Sequence, residues 1–176
     1  MMLDYQIPPA MELNAIDAGL LTVTFIIDTQ YILTNFPDAA LNKKSPVRID
    51  GSAFSMLADM RSVVTGYNTR NLVLKGAIAD VIVFAAEPKY YIARECVQLF
   101  SVSPMIGRLD IQPFNDGIES EGEKHKIPEG KKFMAMIRRK GTEQLEIRFS
   151  VYTLQPDGTY GLHGIFYTDQ LKLEVE

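Results

Sequence analysis

The chain has 176 residues, 47% of them hydrophobic and 23% charged, which suits one globular domain with a single core and excludes a disordered chain. A net charge of −4 and a pI near 5.3 exclude any general attraction for nucleic acid or anionic lipid. One cysteine excludes an internal disulfide framework, no stretch approaches the ~20 apolar residues of a membrane span, and the first 19 residues lack a signal-peptide pattern, so the expectation is a cytoplasmic protein.

Residues 1–19 read as an N-terminal arm: Pro8-Pro9 disfavours helix, and Met11, Leu13 and Ile16 offer apolar contacts. Residues 20–176 read as one β-sandwich domain. Its first segment, LLTVTFII at residues 20–27, is a continuous apolar run of strand length, hence a buried core strand. Asp28 ends it, and Asp28-Thr29 is placed to cap a short helical turn over residues 30–35. Pro37 forbids continuation. Residues 38–52 are loop chemistry, with Gly51 expected at positive φ. Short strands follow at residues 53–58, 61–65 and 71–75. The run VIVF at residues 81–84 does not alternate, so it reads as buried on both faces. Residues 90–102 form a longer strand between Pro88 and Pro104, and residues 115–132 a polar surface loop. Leu145, Ile147, Phe149 and Val151 alternate with polar residues, the clearest β pattern in the chain. Gln155-Pro156-Asp157-Gly158 turns the chain, residues 159–167 return, and Leu171, Leu173 and Val175 alternate in a last strand. Roughly eight to ten short strands with one short helical turn make an all-β, antiparallel β-sandwich the expected fold.

No catalytic set stands out. Cys96 lies mid-strand, where a lone cysteine is ordinarily a small buried hydrophobe, and the histidines are His125 and His163. Asp110, Asp116, Glu119, Glu121 and Glu123 do not follow calcium-loop spacing and alternate with lysines, so no metal and no cofactor are expected. Arg138-Arg139-Lys140 reads as a strand end meeting solvent. For a ligand groove the candidates are Tyr160, His163, Tyr167 and Asp169, which gather aromatic faces, an imidazole and a carboxylate within ten residues. Residues 163, 167 and 169 share parity and would face one way in a strand without a bulge. The alternative for this aromatic set is a ladder that only holds the hairpin together.

The segment IIDTQYILTNFP resembles the opening of the bacterial inclusion body protein family (AidA/PixA type), which reads like VDTEYILANYP. IDGSAFSML, LVLKGAIADVIVF and FSVYTLQPDGTYGLHGIFYTDQLKL resemble further family pieces in the same order, so the likeness covers about residues 20–176. Asp28, Thr29, Tyr31 and Pro37 carry the first piece. The chain departs from the family pattern at Gly51, where a His is usual, and at Tyr167-Thr168-Asp169.

The resemblance implies a bacterial cytoplasmic protein that accumulates in the cell, with no catalytic residues to transfer. The expected function is therefore non-catalytic self-association, most simply as a homodimer, in a chain with eight Met and no Trp. The alternative is a small-ligand or glycan-binding (lectin-like) β-sandwich. An enzyme using Cys96 or the acidic loop ranks third.

Overall fold

The structure, a computed structural model, describes residues 19–38, 44–90, 94–114 and 131–176. Apart from Gly19, the arm expected over residues 1–19 lies outside the described residues, as does most of the polar loop expected over residues 115–132. The elements run β1 (Leu20–Ile27), α1 (Thr29–Asn35), β2 (Val47–Arg48), a 3-10 turn (Gly51–Ala53), β3 (Phe54–Ala58), β4 (Val63–Thr65), β5 (Asn71–Leu74), β6 (Val81–Pro88), β7 (Glu95–Pro104), β8 (Leu109–Phe114), β9 (Lys132–Ile137), β10 (Gly141–Leu154) and β11 (Tyr160–Val175).

Two sheets result. One has the order β3-β1-β6-β9-β8; the other runs β4-β5-β11-β10-β7, with β2 also paired to β11. The all-β sandwich expected from the sequence is what forms, but both sheets are mixed. Most pairs are antiparallel, while β1 pairs β6 in parallel and β11 pairs both β2 and β5 in parallel. The chain passes from one sheet to the other between these strands and returns, so sequence neighbours are not sheet neighbours. One apolar core lies between the sheets, where Phe54 meets Phe149 edge-on at 5.6 Å between ring centres.

A two-layer sandwich buries one face of each sheet, and this corrects the reading of the continuous apolar runs. In β1 only Val23, Phe25 and Ile27 are buried, and Leu20 is 68% exposed. In β6 Ile82 and Phe84 are buried, whereas Val81 and Val83 are half-buried on the outer side. Strands β8 and β9 carry no clear sequence signal. In β9, Phe133, Ala135 and Ile137 point inward, but Met134 and Met136 occupy outward positions, so the apolar pattern hides the alternation.

The first turn forms as the sequence indicates. Asp28 accepts a hydrogen bond from the Tyr31 amide at 3.0 Å, and the Phe36 amide closes the helix on the Ile32 carbonyl at 2.8 Å. Gly158 takes φ +83° in the turn before β11, as expected. Gly51 does not: it sits in the 3-10 turn, and its need for glycine is spatial. A Cβ there would lie 2.7 Å from Cβ of Gln170, whose side chain accepts from the Gly51 amide. A histidine at this position would require Gln170 to move.

Candidate functional site

The four ligand candidates do not converge. Tyr160, at the start of β11, hydrogen-bonds the Cys96 thiol. His163 packs on the core ring of Phe166, at 6.2 Å between centres, and its Nε2 is 2.8 Å from the Phe36 carbonyl oxygen. That oxygen can only accept, so Nε2 carries the proton and ties β11 to the end of α1. Tyr167 and Asp169 instead face outward from the six-stranded sheet. The shared parity fails because β11 slips against β10 between Val151 and Tyr152, which leaves His163 opposite no β10 residue.

The outward side of the six-stranded sheet is polar and ordered by ion pairs. Register places Arg48 of β2 beside Tyr167 of β11, Tyr167 beside Arg148 of β10, and Arg148 beside Ser101 of β7. Arg48 Nη2 donates to Asp169 Oδ1 at 2.8 Å, and Arg148 Nε donates to Glu146 Oε1 at 2.8 Å. The Asp169 carboxylate, with its hydrogen bond and charge, pushes the Arg48 guanidinium above its ordinary pKa. Gln144 Nε2 donates to the Asp169 carbonyl at 2.7 Å, and the next rung, Ser150 opposite Ile165, is buried.

The outward side of the five-stranded sheet is the reverse. Met136 lies opposite Val81, which lies opposite Leu20, and Met134 lies opposite Val83. Met134 is 37% exposed, Met136 47% and Phe114 39%. Charges on this side come from Glu87, Asp110 and Lys132, and Asp110 is bound to Arg138. Arg138 thus meets solvent at the end of β9, as its sequence suggests.

Other chemistry-bearing residues have structural work. Cys96 is buried, and burial followed by the Glu95 charge pushes its thiol up, only partly offset by the Tyr160 hydrogen bond. Glu143, missed in the sequence reading, is 1% exposed. Its carboxylate accepts from the amides of Ile106, Gly107 and Arg108 at 3.1, 2.9 and 3.0 Å. The signal was parity, since 143 falls on the inward set with Leu145 and Ile147. An open depression of about 380 Å³ beside α1 is lined by Gln30, Tyr90, Arg94 and Glu95. Gln30 donates to Glu95 there at 2.9 Å, and Lys89 lies 3.6 Å from Asp28. Among the described residues no group of acidic, His or Cys side chains is placed to hold a metal ion. No described helix is long and apolar enough to cross a membrane.

Comparison with known proteins agrees with the sequence resemblance. A family model described as PixA, inclusion body protein, matches residues 20–87, the segment that holds β1, α1 and the strands through most of β6. A crystal structure of an inclusion body protein of the same PixA family, from Burkholderia cenocepacia, superposes with a TM-score of 0.72 at 21% identity, covering 90% of this chain and 96% of that one. At that identity the likeness establishes the fold. No curated protein matches.

Proposed function

From the inclusion body protein match over residues 20–87, we infer that this chain is a non-catalytic protein that self-associates, first as a twofold dimer, and accumulates in the cytoplasm. One observation carries the reading: the outward side of the five-stranded sheet holds a partly exposed apolar patch bordered by Thr22, Gln112 and Asp110. Leu20, Val81 and Met136 form one cross-strand row, with Met134 and Val83 beside it. Each Å² of such surface removed from water contributes about 25 cal/mol. A twofold axis sets this patch against its own copy, and unbranched Met side chains adapt to the contact. The buried, upshifted Cys96 thiol offers little thiolate for nucleophilic chemistry, which supports a role without catalysis.

Sedimentation equilibrium of the full chain tests this, with the double variant Met134→Glu/Met136→Glu as comparison. The wild type is expected at twice the 19.8 kDa chain mass and the variant at 19.8 kDa, with an unchanged far-ultraviolet circular dichroism spectrum. A wild-type mass of 19.8 kDa throughout the micromolar range, or a dimer that tolerates both substitutions, overturns the reading.

A further inference from the structure

We propose that the outward side of the six-stranded sheet binds a neutral polyhydroxylated ligand, a saccharide, centred on Tyr167 between Arg48 and Arg148. The site is distinct from the self-association surface, which lies on the other sheet.

Geometry comes first. Strand register sets Arg48, Tyr167, Arg148 and Ser101 side by side across β2, β11, β10 and β7. Strands lie ~4.8 Å apart, so the row is roughly 14 Å long, enough for a short oligosaccharide rather than a single small ion. Rigid pleated backbone holds all four positions. Tyr167 is half-buried and offers a flat, amphipathic ring, the kind of surface on which the apolar face of a sugar packs.

Charge then selects the ligand. Each guanidinium on the row is matched by a carboxylate, Arg48 by Asp169 and Arg148 by Glu146, both at 2.8 Å. The two pairs sum to no net charge, so the row has little to attract a phosphate or sulfate. Among the described residues each contact engages one carboxylate oxygen, Oδ1 of Asp169 and Oε1 of Glu146. The two guanidinium donors therefore stand on one rung and the two carboxylate acceptors beside it on the next. A hydroxyl both donates and accepts, so vicinal hydroxyls match adjoining rungs of donors and acceptors where an anion or a cation does not. The ion pairs also fix long side chains before binding, which lowers the ordering cost of recognition.

The test uses the full chain on a printed array of neutral, sialylated and sulfated glycans, followed by calorimetry with the strongest neutral glycan. Neutral glycans are expected to bind, and Tyr167→Ala and Arg148→Ala are each expected to weaken binding by about tenfold or more. Tyr167→Phe, which keeps the ring, retains most of the affinity and reports binding even if a truncation perturbs the fold. Met134→Glu/Met136→Glu leaves the calorimetric affinity unchanged, which separates this site from self-association. Capture of charged glycans alone, capture of none, or neutral binding that survives both alanine substitutions overturns the proposal.

Discussion

Removing the Glu143 carboxylate tests how the β7–β8 connection is held. Glu143 is 1% exposed, and its two oxygens collect the amides of Ile106, Gly107 and Arg108, which lie 35 to 37 residues earlier in the chain. A hydrogen bond to a charged group contributes about 1.5–3 kcal/mol, but three on one carboxylate are not additive. Ile106 is 52% exposed, so water can reach part of the freed backbone and recover some of the loss. For Glu143→Ala the expected cost is therefore about 3 kcal/mol. Glu143→Gln keeps the shape and one acceptor oxygen but turns an amide NH₂ toward a backbone N–H, so about 1–2 kcal/mol is expected. Urea unfolding measures both through the midpoint at constant slope. A chain of this size should lose about 2–4 °C of melting temperature per kcal/mol. If Glu143→Ala costs under about 0.5 kcal/mol, the amide cluster contributes nothing and the argument fails.

Three further outcomes follow from the same geometry. Asp28→Ala removes the cap on Tyr31 and should cost about 1 kcal/mol, the half-exposed Lys89 contact adding little; an unchanged melting temperature would show that the cap is dispensable. Thr29 is fully buried and its Oγ1 has no hydrogen-bond partner among the described residues, so Thr29→Val should leave stability equal or raise it by about 1 kcal/mol in urea unfolding, and a clear loss would show that the hydroxyl is satisfied. Cys96, with its thiol held above the ordinary value of 9.0 by burial and then by Glu95, carries less thiolate than a free cysteine at pH 8. It should therefore react slowly with a disulfide reagent in the folded protein and promptly in denaturant; equally fast labelling in both would refute its burial.

Several features were legible in the residues alone because their causes are local. The Asp28 cap and the stop at Pro37 depend on groups within one turn, and the structure forms α1 over Thr29–Asn35. The alternation from Leu145 to Val151 marks a one-face-buried strand, and Gly158 supplies the positive φ of the following turn. The chain order of short strands separated by turn residues was enough for an all-β sandwich.

What the residues alone left open depends on partners distant in sequence. Strand period tells which side chains share a face but not which strand lies alongside, so the parallel pairing of β1 with β6 came only from the packed sheets. One slip of β11 against β10, between Val151 and Tyr152, turned His163 onto Phe166 and the Phe36 carbonyl while leaving Tyr167 and Asp169 outside, separating residues that parity had grouped. Arg48 reached Tyr167 only because a two-residue strand, too short to leave a pattern, added itself to the sheet. Glu143 could be buried as a carboxylate because three amides from another loop converge on it. Composition and period set which residues avoid water; long-range pairing decided which of them meet, because hydrogen-bonded register fixes distances that no local preference encodes.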